Sequence, residues 1–422
     1  MSADIATARA LDAADPLASM RAQFFVPKTT SGADSIYFCG HSLGLQPVKT
    51  AQYIEEELES WRRLGVEGHF SGTRPWVSYH EPLTAGLAHL AGALPLEVVA
   101  MNSLTVNLHL LLASFYRPTR ERPKLLIEAA AFPSDRYAVA SQVRWHGFDP
   151  GKDVIEFGDA DAQLILNEDA LCAELERRGS EIAVVLLPAV QYLTGQVLDC
   201  KRIARVARAQ GCIVGLDLAH AIGNIPLALH DWDIDFAVWC SYKYLNAGPG
   251  ALGGCFVHER HARAFDLPRL AGWWGHDKKT RFDMPAAFVP LPGAEGWQLS
   301  NPSIFAAAPL LASLEVFRSV SGEQLREKSR ALTGLLERLL LERLQHQVEI
   351  LTPNAPERRG CQLSLRLNTP RDVAKRIHEQ LNATGVICDW REPNVIRVAP
   401  VPLYNRFVEV WAFVEELEKQ LR

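Results

Sequence analysis

No uninterrupted apolar stretch in this chain reaches the roughly 18–20 residues that a membrane-spanning helix requires. Positive charge is not in excess either. The 44 Lys and Arg are outnumbered by 49 Asp and Glu, for a net charge of −5. That balance excludes the basic surface on which phosphate-backbone binding depends. No run of like charge is long enough to act as an interaction tail. The cysteines, at positions 39, 172, 200, 212, 240, 255, 361 and 388, never form a Cys-x-x-Cys pair, so neither zinc nor a thioredoxin-like centre is expected, and no other metal. Several lie inside apolar runs, where free thiols pack as small hydrophobes and suit a reducing compartment. The start, Met1-Ser2-Ala3-Asp4, lacks the basic and apolar regions of a signal peptide. Internal repeats and low-complexity linkers are missing too. The expectation is a soluble cytoplasmic protein with neither nucleic acid nor membrane as partner.

What is present is length and a strong alternation. A chain of 422 residues exceeds one usual core, and 48% hydrophobic residues suffice to fill more than one. A helix is predicted from about 48 to 64, and another behind a Ser103 N-cap at Leu104-Thr105-Val106-Asn107. Strands are predicted at Lys124–Glu128, Ile182–Leu187, Ile213–Leu216 and Ile234–Trp239, with helices from Phe132-Pro133-Ser134-Asp135 onward and from about 199 to 210. Such alternation gives βαβ units and a mostly parallel sheet covered on both faces. Near 310 the pattern changes. One long helical stretch at about 303–346 is followed by strand 362–367, a helix near 370–384, strand Val395–Val398 and a final helix from about 405 to 421. That order reads as a small α+β domain.

Ligands of parallel sheets bind beyond the carboxyl ends of the strands. Two such ends carry unusual residues, Asp217-Leu218-Ala219-His220 and Ser241-Tyr242-Lys243-Tyr244. A carboxylate and a lysine facing one crevice are what pyridoxal phosphate (PLP) chemistry needs: an amine for the Schiff base and an anion to keep the pyridine nitrogen protonated. Alternatives stand beside each residue. Lys243 could be a solvated charge, though desolvation behind an apolar strand would free its amine. Asp217 could cap a helix, and His220 could be a satisfied core histidine or a cofactor neighbour. Leu104 and Thr105, and Ser134 and Asp135, open helices whose N–H groups suit a phosphate, although capped helices are common. Phe132 could stack on a pyridine ring or fill a core. Arg397, a charge in an apolar strand, could grip a substrate α-carboxylate with its fork or make a structural ion pair.

Together these residues resemble the fold-type I, aminotransferase-like PLP family, and the finer pattern is similar to the kynureninases. The segments are Gly40-His41-Ser42-Leu43-Gly44-Leu45-Gln46-Pro47, Met101 to His109, Phe132-Pro133-Ser134-Asp135, Asp217-Leu218-Ala219-His220 and Ser241 to Asn246, then Gly272-Trp273-Trp274-Gly275-His276, Ser300-Asn301-Pro302 and Ile396-Arg397-Val398-Ala399-Pro400. The resemblance runs from about 37 to 410. It implies an α/β fold of fold type I with a mostly parallel sheet flanked by helices. The implied division is an N-terminal arm joined to the small domain at 1–49, a large PLP-binding domain at 50–305 and a small domain at 306–422.

By the same resemblance Lys243 carries the cofactor and Asp217 pairs with its nitrogen, with His220 alongside. Tyr242 is a proton relay, and Phe132 stacks on the ring. Leu104, Thr105, Pro133, Ser134, Asp135 and Tyr242 surround the cofactor, mainly at its phosphate. Trp273 and Asn301 reach an active site across a homodimer interface. Ser42 and His69 border the substrate's aromatic end, and Arg397 holds the α-carboxylate. The implied reaction is hydrolysis of L-kynurenine or 3-hydroxykynurenine to anthranilate or 3-hydroxyanthranilate and L-alanine, in tryptophan breakdown or NAD biosynthesis. Two positions depart from the family pattern: His41 stands where Asn is common, and Pro188 where a hydroxyl residue helps hold the cofactor. A cysteine desulfurase or selenocysteine lyase is the nearest alternative, with Cys361 and Cys388 as its candidate nucleophiles. A PLP-fold protein that binds without turnover is the other.

Overall fold

The computed structural model describes residues 5–158 and 164–422, so the first four residues of the expected arm lie outside the described residues. A seven-stranded sheet forms the centre. Its strands are β1 (Val98–Ala100), β2 (Lys124–Glu128), β3 (Val154–Phe157), β4 (Ile182–Pro188), β5 (Ile213–Asp217), β6 (Phe236–Cys240) and β7 (Gly253–Val257). The spatial order is β1-β7-β6-β5-β4-β2-β3. From β3 to β6 all pairings are parallel. At the other edge β7 runs antiparallel to both β6 and β1. The reason is the connection: no α-helix lies between Cys240 and Gly253, and a return without a crossover helix favours antiparallel pairing.

The apolar runs behave as buried strands. Every residue of β6 and β7 is buried, and so are Val214 to Asp217 of β5. Two apolar clusters, one centred on Leu216 and Trp239 and one on Val99, Leu125 and Val238, pack on the sheet. Helices that carry site residues or cover the sheet are α1 (Thr50–Leu64), α2 (Leu104–Phe115), α3 (Pro133–Trp145), α4 (Cys200–Ala209) and α5 (Ile304–Arg318). Strand β6 begins at Phe236, later than expected, because the Asp235 carboxylate accepts the Val214 backbone N–H at 2.8 Å and pairs with Arg260.

The long helix expected at 303–346 is two helices. Helix α5 ends at Arg318, α6 spans Gly322–Arg343, and they meet at 85°. Ser321 caps α6, accepting the Gln324 N–H at 3.1 Å while Gln324 accepts the Ser321 N–H at 3.0 Å. This reciprocal capping box starts a new helix. Beyond it a four-stranded antiparallel sheet of β8 (Val348–Ile350), β9 (Leu363–Leu367), β10 (Asp389–Arg391) and β11 (Val395–Val398) has the order β8-β9-β11-β10. Helices α7 (Arg371–Ala383) and α8 (Phe407–Leu421) complete its layer. The third core joins Leu332 to Leu344, Val398 and Phe413 with Ala8 and Phe38 from the N-terminal arm. In addition, Ile36–Tyr37 pairs in parallel with Val386–Ile387. We propose that the small domain takes in the arm and begins at the 319–321 turn rather than at 306, because Ala307 to Phe317 pack in the large core.

Candidate active site

The carboxyl ends of β2, β4, β5 and β6 open into one cleft. It is lined by Leu104, Thr105, Glu128, Phe132, Ser134, Asp135, Pro188, Val190, Tyr192, Asp217, Ala219, His220, Tyr242 and Lys243. Chain order thus scatters these residues and sheet order gathers them. Asp217 ends β5 and caps no helix. Its Oδ1 accepts the Ala219 N–H at 2.6 Å, and the chain then turns away, with the Leu218 N–H bonded to the Val238 carbonyl at 2.8 Å. Lys243 follows β6 and is half-buried, its Nζ 3.1 Å from His220 Nε2.

The floor is acidic. Asp135 lies beside Asp217 and is held well above the ordinary carboxyl range by burial first and then by the Asp217 charge. Burial and the neighbouring carboxylate both favour the neutral form of Asp135. The sequence reading had Asp135 mainly at the phosphate; its carboxyl lies instead in the Asp217 cluster. Glu128, at the end of β2, joins them. Burial raises its carboxyl to about 7, the Gln191 amide opposes that, and the Asp217 charge adds to it. Glu128 was not singled out from sequence, although its place at a strand end was the available signal.

The opposite wall is electropositive. Helices α2 and α3 begin at the cleft, and no side chain caps either. Ser103 occupies the expected N-cap position without making the capping bond. Glycine lets strand β7 lie against the start of α2: a Cβ on Gly253 would sit 3.2 Å from the Leu104 nitrogen and 2.6 Å from the Trp239 carbonyl oxygen. The first-turn N–H groups, with the Thr105 and Ser134 hydroxyls, make a setting for a phosphate.

His220 is buried. Burial first, then the charges of Lys243 and Arg397, hold it well below the imidazole range, so it is neutral. Its Nδ1 has no partner, nor has Asp135 Oδ1. Tyr242 is pushed up by burial and then by Cys240, so its phenol keeps its proton. Phe132 is no core residue: it is 42% exposed and meets Tyr192 edge-on at 5.2 Å. Pro188 lies opposite Asp217 in the β4–β5 register and contributes no hydroxyl.

Arg397, on β11, is 1% exposed. Its Nη1 donates to the Tyr192 carbonyl at 2.6 Å and its Nε to Asp389 at 3.0 Å. It thus makes the structural ion pair and also stands directly behind a cleft residue. The loop at Gly40–Gly44 is held on the lysine segment, with the Gly44 N–H bonded to the Tyr242 carbonyl at 2.8 Å. Among the other expected residues, Pro133 opens α3. Ser42 and His69 are half-buried, and His69 packs edge-on against Trp76 at 5.3 Å. Trp273 is 45% exposed, and Asn301 is exposed. None of these lines the cleft of the single chain.

The cleft suits pyridoxal phosphate on its own chemistry. A floor of carboxyl groups with an orphaned buried oxygen would suit a cationic ring nitrogen, the uncapped helix starts would suit a phosphate, and an amine lines the same cleft.

Comparison with known proteins agrees. Residues 325–417 match the family model for the kynureninase C-terminal domain. A kynureninase of Xanthomonas campestris pv. campestris (strain B100) is 56% identical over 411 residues, covering 97% of this chain and 96% of the relative. A kynureninase of Koribacter versatilis (strain Ellin345) is 52% identical over 412 residues, covering 97% and 96%. Among solved structures, the cysteine desulfurase CsdA from Escherichia coli superposes with a TM-score of 0.75 at 19% identity, covering 96% of this chain and 98% of that one. The cystine C-S lyase C-DES, in complex with cysteine persulfide, gives 0.75 at 19% identity, covering 92% and 98%. A C-DES mutant with glycine linked covalently to its PLP cofactor gives 0.77 at 19% identity, covering 94% and 98%. The fold is that of the aminotransferase-like PLP enzymes.

Proposed function

The chain belongs to the kynureninase family, and on that premise we propose that it hydrolyses L-kynurenine, 3-hydroxy-L-kynurenine or both, breaking the Cβ–Cγ bond to give anthranilate or 3-hydroxyanthranilate and L-alanine. The observation that carries this reading is the convergence of Lys243, the Asp217–Asp135 pair and two uncapped helix starts in one cleft. Pyridoxal phosphate, when bound, supplies the electron sink for the charge that develops at the substrate's α-carbon.

The chain's own residues supply the rest. Lys243 anchors the cofactor, then takes and returns the α-proton, with neutral His220 fixing its Nζ. Asp217, beside Asp135 on the cleft floor, would face the ring nitrogen of the bound cofactor. Thr105, Ser134 and the first-turn amides of α2 and α3 hold the phosphate, with Leu104, Phe132 and Pro133 shaping the wall. Arg397 pairs with the α-carboxylate. Water adds to the side-chain carbonyl, and as the Cβ–Cγ bond opens the phenol of Tyr242 gives its proton to Cβ and regains the one that the hydrated carbonyl releases.

We assign Ser42, His69, Trp273 and Asn301 to composite sites of a homodimer. Support comes from a stripe of exposed apolar rings: Trp61 is 59% exposed, Phe70 58% and Phe282 48%. Phe282 packs on both Phe70 and Trp273, and Trp61 on Phe305. Patches of this kind mark interaction surfaces. No single helix among the described residues is long and apolar enough to cross a membrane. The cysteines, unpaired throughout, support a cytoplasmic location.

The cysteine desulfurase alternative lacks its nucleophile. Cys361 is 1% exposed and pushed up to about 12 by burial. Cys388 is buried and also raised. Such thiols are inert. Offering the PLP-loaded protein L-kynurenine and L-cysteine separately tests the choice: anthranilate fluorescence is expected from the first, and sulfide from the second would reverse the reading.

A further inference from the structure

His41 has no role in the mechanism above, yet its environment is unusual. It is 0% exposed, and neither ring nitrogen has a hydrogen-bond partner. Buried polar groups in native folds are nearly always paired, so an orphaned pair of nitrogens calls for a ligand or an ordered water. The ring centroid lies 6.4 Å from that of His220. The loop cannot readily swing it away. Gly44 is pinned to Tyr242, and a Cβ on Gly40 would lie 2.4 Å from the Tyr404 hydroxyl.

The surroundings favour an anion. Arg391 and Arg397 share one carboxylate, Asp389, at 3.1 and 3.0 Å. With Lys243 nearby, positive charge is in local excess. Burial first, then Arg397, Arg391 and Lys243, hold His41 well below the imidazole range. It is therefore neutral, with one N–H to donate and one lone pair. Arg397 is the largest charge influence on it.

We infer that His41 is a further substrate-binding residue, whose ring N–H donates to the α-carboxylate paired with Arg397. The inference rests on the amino-acid substrate proposed above. The carboxylate is then held from two segments, the N-terminal loop and strand β11. Arg397 supplies the charge, and His41 adds a second, directional donor.

L-Alanine and L-alaninamide, which differ at the carboxylate alone, are the probes. Their binding to the PLP-loaded protein is followed by the change in cofactor absorbance. His41→Leu and His41→Phe are expected to weaken L-alanine about 10-fold or more, as loss of a hydrogen bond to a charged group does. L-Alaninamide should change less than about twofold on the same scale. With kynurenine, KM should rise by the same factor as for L-alanine, with kcat little changed. His41→Asn or His41→Gln, which keep an N–H, should recover most of the affinity. Equal losses for both probes, or no loss for L-alanine, would overturn the assignment. Should the apolar variants fail to load cofactor, wild-type protein labelled with ¹⁵N-histidine replaces them. There L-alanine, and not L-alaninamide, is expected to shift the His41 ring signal, and a signal indifferent to L-alanine overturns the assignment. Wild-type protein that discriminates the probes in this way but releases no anthranilate supports His41 and counts against the proposed reaction.

Discussion

Replacing Glu128 with glutamine should make the cofactor-free protein more stable at pH 8 than the wild type, and by much less at pH 5. Glu128 is 4% exposed at the end of β2, and burial lifts its carboxyl from 4.5 to about 7. A raised folded-state pKa means that the native chain holds a proton which the unfolded chain has lost. Between pH 4.5 and 7 the native state thus binds about one more proton, and stability falls by about 1.4 kcal/mol per pH unit. Above pH 7 both states are ionised and the loss stops growing. The accumulated cost at pH 8 is about 3 kcal/mol, against under 1 kcal/mol at pH 5. The amide in the Glu128→Gln variant has no proton to lose, and its carbonyl oxygen can still accept from the Gln191 amide, a contact of 3.4 Å in the wild type. Urea denaturation of both proteins at pH 5, 6, 7 and 8 measures the difference. The gap should widen by about 2–3 kcal/mol from pH 5 to pH 8, following the titration. A gap independent of pH would refute the reasoning. It would mean that Glu128 is ionised in the folded protein at no cost.

If Arg397 is the α-carboxylate's cationic partner, Arg397→Ala should raise KM for kynurenine about 100-fold in steady-state kinetics; an unchanged KM would remove Arg397 from that role. Gly44→Ala should lower stability by about 2 kcal/mol or more and depress kcat, because the new Cβ would lie 2.2 Å from Asn246 Oδ1 and 2.3 Å from the Lys243 carbonyl oxygen. Thermal unfolding and turnover check it together, and a variant with wild-type values would mean that the loop is not clamped on the lysine segment.

Much of the catalytic frame was legible because it is local. An apolar run followed by Asp217, and another followed by Lys243, place both residues at strand ends whatever the strand order. Other features were hidden for identifiable reasons. The break between α5 and α6 carries no Pro, and its one Gly, Gly322, is already the first residue of α6, while Pro309 sits inside α5. The capping pair Ser321 and Gln324 was the signal that would have found it. Strand β7 has the same fully buried pattern as β6, which belongs to the parallel set, so its direction is invisible to periodicity. Asp135 meets Asp217 across 82 positions of sequence, an encounter that sheet order creates and local pattern does not encode. His41 was noticed as a departure, but its lack of partners depends on how the N-terminal loop folds over the small domain. Trp273 and Asn301 lie on the exposed surface of the single chain.

The central claim is that Lys243, at the end of β6 beside His220, performs the proton transfers of a kynurenine hydrolase. It is tested most directly by adding L-kynurenine to PLP-loaded wild type and Lys243→Ala and recording anthranilate fluorescence together with L-alanine. The expected result is equimolar anthranilate and L-alanine from the wild type and no turnover from the variant. Full turnover by Lys243→Ala, or a wild type that binds the cofactor and releases no anthranilate, would contradict it.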